Sequence, residues 1–144
     1  MSNVRAQRGK QREACVSENR AGAVLYAKDI SRVSAFYERV AELRISHTEV
    51  DHVVLESRTL QLVVVAIPQH IASSIRIESP PARREDTPVK LVLPVSSIGA
   101  ARELAAQYGG QLNPQERQWE FQGSPVCDGH DPEGNVFQLR QNAL

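Results

Sequence analysis

Asp131-Pro132-Glu133-Gly134-Asn135-Val136-Phe137-Gln138-Leu139, close to the C-terminal end of a chain of 144 residues, carries a tight turn into a strand. Asp in the first place, Pro in the second and Gly in the fourth suit a type I turn, and the glycine can form a bulge. On its own the turn is structural. Its value lies in the register that it sets for Val136–Arg140. If Phe137 and Leu139 face a helix, Gln138 and Arg140 face the opposite side of the sheet, because strand side chains alternate.

Working outward, a second stretch, Val24 to Tyr37 (VLYAKDISRVSAFY), reads as a strand, a capped turn and a helix opening. Ile30, Val33, Phe36, Tyr37 and Val40 recur at helical spacing and make one apolar face. Asp29 or Ser31 can cap the helix by accepting a free backbone N–H. The pattern returns at Ile98, Ala101, Leu104, Ala105 and Tyr108. There Ser96 or Ser97 is the cap, and Gly109-Gly110 ends the helix because glycine accepts the left-handed conformation. An apolar strand precedes each helix, Ala23–Ala27 and Val89–Val95. Strand-like segments follow the first helix at Arg44–Thr48, His52–Glu56 and Leu60–Ile67. After the second they follow near Gln111–Leu112, then at Gln118–Gln122, Val126–His130 and Val136–Arg140.

The chain therefore reads as two βαβββ modules of an α+β fold, within a single domain over 21–144. Module one spans 21–67, a linker 68–87 with Pro80-Pro81 and the charged run Arg83–Asp86, and module two 88–142. A lone module has a helix on one sheet face, an open second face and unpaired strand edges, which invite aggregation. Pairing two modules covers edges and makes a cup.

The two quoted stretches, at this separation, resemble the glyoxalase/bleomycin-resistance/dioxygenase family, the vicinal oxygen chelate superfamily. The resemblance covers about residues 21–142. It implies two βαβββ modules forming a cupped mixed sheet, often around a divalent metal, and it implies a homodimer. Many metal-bearing members place His or Glu ligands at four points. Carried onto this chain, these positions fall at Gly22, Gln61, Lys90 and Gln138. None is a good ligand for a hard or borderline dication, which wants carboxylate oxygen or imidazole nitrogen. A protonated lysine about 4 Å from a dication is repelled by roughly 8 kcal/mol at an effective dielectric of about 20. The expectation is a protein without a metal or other cofactor. The alternative is a divalent metal ion held by displaced ligands such as His52, Glu56 or His130, in a lyase, isomerase or extradiol-type dioxygenase.

Composition bounds the remaining classes. The hydrophobic fraction of 41% and charged fraction of 24% are those of an ordinary globular protein. Zero net charge gives no reason to expect nucleic acid as a partner. Residues 1–20 carry five basic side chains against Glu13 and Glu18, have few apolar residues and no period, and read as a disordered tail. That segment lacks the apolar region of a signal peptide. No apolar run approaches the roughly 18 residues of a membrane span, so a soluble cytoplasmic protein without a membrane partner is expected.

Cys15 and Cys127 have no zinc spacing, and a disulfide between them is not expected because Cys15 lies in the tail. Cys127 and His130, three apart, point to opposite faces of a regular strand and meet only through a bulge at Gly129. No GxGxxG, Walker A, HExxH, GxSxG or EF-hand loop occurs. The positive reading is a ligand site for a small, anionic molecule, built from Tyr26, His52, Gln61, Lys90, Trp119, Gln138 and Arg140. A cation with amides suits a carboxylate or phosphate, and Trp119 can stack on a planar group. Catalytic residues are not legible.

Overall fold

The computed structural model describes residues 20–143. The expected tail lies outside the described residues, except for Arg20. Strand β1 (Ala21–Ala27) leads into helix α1 (Ile30–Val40), then β2 (Arg44–Thr48), β3 (His52–Glu56) and β4 (Leu60–Ala66). A four-residue helix, α2 (Gln69–Ala72), opens the linker where no element was expected. Module two runs β5 (Leu91–Val95), α3 (Ile98–Gln107), β6 (Gln111–Leu112), a 3-10 turn at Gln115–Arg117, β7 (Trp119–Phe121), β8 (Ser124–His130) and β9 (Val136–Gln141).

The strands form two mixed sheets. The first has the order β1-β4-β3-β2, with β1 and β4 parallel. The second has the order β5-β9-β8-β6, with β5 and β9 parallel and β7 pairing the other end of β8. Asp29 caps α1 by accepting from the Arg32 N–H at 3.0 Å, and Ser97 caps α3 by accepting from Ala100 at 3.1 Å. Gly109, with φ +90°, carries the chain out of α3.

Both helices lie on the same core. Val33, Phe36, Tyr37 and Val40 of α1 and Ile98, Ala101 and Ala105 of α3 join one buried cluster with Leu55, Leu62, Leu93, Phe137 and Leu139 from the sheets. Phe36, Tyr37 and Phe137 pack ring on ring at centroid distances of 5.2–5.9 Å, across the module boundary. Burial of this cluster supplies the bulk of the driving force, about 1.5–3 kcal/mol per large apolar side chain.

Two glutamates also join the modules. Glu133 of the DPEG turn accepts from the backbone N–H groups of Lys28 and Asp29, both at 2.8 Å, just before α1. Glu42, after α1, accepts from the Ser96 N–H at 3.0 Å, just before α3. In each case the strand-to-helix turn of one module donates to a carboxylate of the other. Free N–H groups at a helix entrance are ready donors, and a carboxylate there also suits the helix dipole.

The turn itself forms as its residues dictate. The Gly134 N–H donates to the Asp131 carbonyl at 3.0 Å, and Gly134 has φ +86°. Asp131 is fully buried and accepts from the Tyr37 hydroxyl at 2.8 Å, from the backbone of Glu133 and Asn135, and from the Asn135 amide. Burial, then the Asp131 charge and hydrogen bond, push the Tyr37 phenol well above its ordinary 10.0. In the unfolded chain the phenol ionises near pH 10, so its contribution is intact below that pH. It is lost as pH rises through the raised folded value. Urea unfolding between about pH 9 and 11 is expected to show stability falling with pH, and falling less steeply in Tyr37→Phe.

Candidate functional site

Alternation along the strands fixes which side chains face away from the helices. On β9, Phe137 and Leu139 are buried, and Gln138 and Arg140 lie on the open face as the register required. On β3, Val53 and Leu55 are buried, which leaves His52, Val54 and Glu56 on the open face. The same face of β1 carries Gly22, Val24 and Tyr26. Val24 and Tyr26 are 59% and 62% exposed, and Trp119 and Phe121 of β7 are 41% and 45% exposed, so one chain leaves much apolar surface to water on these faces.

Each module carries the same polar triad there. Gln61 and Glu56 are cross-strand partners, and the amide donates to the carboxylate at 3.2 Å. Glu56 pairs with Arg20 at 2.6 Å. In module two, Gln138 and Asp128 are cross-strand partners, again with amide donating to carboxylate at 3.2 Å. Asp128 pairs with Lys90 at 2.7 Å. Arg20 and Lys90 each stand one residue before the first strand of their module. Two modules with little sequence in common thus repeat cation, carboxylate and amide at matching places.

Arg20, then the Gln61 amide, hold the Glu56 carboxyl below its ordinary 4.5. With the folded value lowered, the contribution of Glu56 is present above its unfolded pKa and is lost as pH falls through the folded one. A carboxyl-detected NMR titration is expected to find Glu56 ionising below 4.5. In Arg20→Gln it returns toward the ordinary range; no change on that substitution would remove Arg20 as the cause.

The triads bear directly on a metal. Gly22 lies opposite Gln61, and a Cβ there would sit 2.7 Å from the Gln61 carbonyl oxygen, too close for any side chain without a shift. Gln61 and Gln138 are committed to carboxylates, and Lys90 to Asp128. The register places Val92, rather than Lys90, opposite Gln138. These four positions do not fit a divalent ion. The displaced set does not converge either. His52 bonds Asp51 at 2.8 Å, Glu56 bonds Arg20, and His130 is buried with Nδ1 3.0 Å from the Asp131 carbonyl oxygen. Among the described residues no group of three or more His, Cys, Asp or Glu is placed to hold a metal ion. Strand β8 pairs with β9 without a register shift, so Cys127 and His130 stay on opposite faces. Burial pushes the Cys127 thiol up, against the Arg102 guanidinium 3.7 Å away.

The seven expected ligand residues divide between the sheets. Tyr26 and His52 both flank Val65 in one row of the first sheet, and Gln61 lies further along β4. Lys90, Gln138 and Arg140 are linked through Asp128, with Arg140 Nε donating to Gln138 Oε1 at 3.0 Å. Trp119 is opposite Val126, which is opposite Arg140, in one row of the second sheet. No hydrogen bond among the described residues joins the two groups. Hollows among the described residues lie elsewhere. One of about 240 Å³ lies between β1 and the start of β5 and β9, lined by Val24, Leu25, Leu91 and Val136. One of about 500 Å³ lies beside the start of α1, at Lys28, Arg32 and Pro132. None of the seven lines either.

Sequence reading missed Phe121, whose ring lies 4.6 Å under the Arg140 guanidinium, and Asp128. Both were findable by parity: Phe121 is two from Trp119, and Asp128 is opposite Gln138 once the Gly134 turn sets the register.

Two βαβββ modules with helices on one side and open sheet faces on the other define an α+β cup protein of the vicinal oxygen chelate class. The chain belongs to the glyoxalase-like domain family, whose profile matches residues 22–140. The structure is similar to that of a bleomycin resistance determinant encoded on the transposon Tn5, at 18% identity over 88% of this chain and 99% of that one, with a TM-score of 0.56. It is similar also to a glyoxalase/bleomycin resistance protein/dioxygenase family enzyme from Burkholderia phytofirmans PsJN (19% identity, 84% and 96% covered, TM-score 0.58). A third is a bleomycin-binding protein complexed with bleomycin (17% identity, 87% and 98% covered, TM-score 0.54). Among curated proteins none matches. No described helix is long and apolar enough to cross a membrane.

Proposed function

We propose that the protein binds a small, anionic organic molecule on the open faces of its sheets, sequesters it rather than transforming it, and needs no metal to do so. The observation that carries this reading is a set of exposed apolar side chains, Val24, Tyr26, Trp119 and Phe121, on faces that also present Arg140 without a carboxylate partner among the described residues. Apolar surface with a few placed polar groups is the usual make-up of a small-molecule site. A fold shared with a bleomycin-binding protein supports binding as the action.

A second copy of the chain is proposed to close the cup, since surface of this kind left open on a monomer marks an interface or a ligand groove. Nucleic acid and membrane are not proposed as partners, and the cytoplasm is the proposed location. The other reading, a metal-dependent lyase, isomerase or dioxygenase, has no observation in its favour at His52, Glu56 or His130.

A thermal-shift panel of small carboxylates, phosphates and their neutral analogues, with light scattering for mass, tests the proposal. Stabilisation by anions in preference to neutral analogues, in a dimer, is expected. A panel without any stabilising compound, on a monomer, would overturn it.

A further inference from the structure

The second sheet offers one ligand class more than others. Trp119 and Phe121 sit two apart on β7 and project to the open face, where Trp119, Val126 and Arg140 form one cross-strand row. The Arg140 guanidinium lies over the Phe121 ring at 4.6 Å, and its Nε is held by Gln138. Gln138 is held in turn by Asp128, and Asp128 by Lys90. This chain of contacts does two things. It neutralises Lys90 with Asp128, so the uncompensated charge of the group falls on Arg140. It also orients the guanidinium, whose terminal nitrogens have no partner among the described residues.

A planar fork of donors matches a carboxylate in bidentate fashion, and a guanidinium already stacked on an aromatic ring loses little freedom on pairing. Two residues from Phe121 on β7, and in the same cross-strand row as Arg140, comes the half-exposed indole of Trp119, a surface for a second flat ring. We infer that the Trp119–Phe121–Arg140 shelf takes a planar aromatic carboxylate, its ring against Trp119 and its carboxylate on Arg140. The inference deepens the binding function above and rests on it. An aliphatic carboxylate lacks the ring, and a neutral aromatic lacks the charge, so each makes half of the contacts.

Trp119 is the only tryptophan of the chain, so its indole N–H gives one resolvable signal in a ¹H–¹⁵N correlation spectrum of the full chain. The probes are 2-naphthoate, neutral 2-naphthamide and cyclohexanecarboxylate. The expected result is a saturable shift of the Trp119 indole signal with 2-naphthoate. The other two probes, and 2-naphthoate on Arg140→Gln, bind weaker by about tenfold or more. Signal dispersion in Arg140→Gln checks that the variant is folded. Equal affinity for 2-naphthoate and 2-naphthamide would overturn the inference while leaving small-molecule binding intact. So would saturable shifts confined to the first sheet around Tyr26 and His52. An indole signal that moves with protein concentration but with no probe would overturn it in favour of a second copy seated on the shelf. The anion panel separately decides whether any ligand binds.

Discussion

Asp131→Ala is expected to destabilise the protein by about 4 kcal/mol or more in urea unfolding, because each polar group orphaned in a dry site costs about 1–3 kcal/mol. The substitution strands the Tyr37 hydroxyl, the N–H groups of Glu133 and Asn135, and the Asn135 amide, all of which Asp131 now accepts from. It also loosens the turn that presents Glu133 to Lys28 and Asp29, and with it the joint between modules. Tyr37→Phe removes only one of these bonds and is expected to cost about 1–2 kcal/mol. The double variant should then cost less than the two single losses together, since both remove the same contact. Strict additivity would mean that the Tyr37–Asp131 bond contributes little.

Phe137→Ala is expected to cost about 3–5 kcal/mol, the range for deleting a buried aromatic side chain. Phe137 is fully enclosed and touches Phe36 and Tyr37 of α1 from β9. The void would open where the two modules share their core, so unfolding is expected to remain a single transition at a lower midpoint. Phe137→Leu refills much of the volume and should recover more than half of the loss. A midpoint unchanged in Phe137→Ala would mean that this aromatic contact contributes little to holding the modules together.

Periodicity made the frame legible. The apolar spacing of α1 and α3, their Asp29 and Ser97 caps and the Asp131–Gly134 turn are local signals, and each appears where local chemistry puts it. The short helix Gln69–Ala72 was not legible: four residues carry too little period to stand out. Glu133 and Glu42 were invisible as joints because their partners lie about a hundred and about fifty residues away. Only the packed fold brings such groups together. The open-face positions of Gln138 and Arg140 followed from one register argument, but the cations that complete the triads did not. Arg20 read as part of a tail, and its bond to Glu56 depends on β4 pairing with β1 on one side and β3 on the other.

The triads take up the polar groups of Gln61, Lys90 and Gln138, and whether the chain retains a metal can be measured directly. Untagged protein, purified without chelator and then soaked in manganese, iron, nickel and zinc, is analysed for metal by elemental mass spectrometry. No retained stoichiometric metal is the expected result, because a side chain at Gly22 would meet the Gln61 carbonyl, and Gln61, Lys90 and Gln138 are each bound to a carboxylate of their own module. Near one equivalent of metal per chain, lost on substituting His52 or His130, would contradict it and make the protein a metal-dependent enzyme instead.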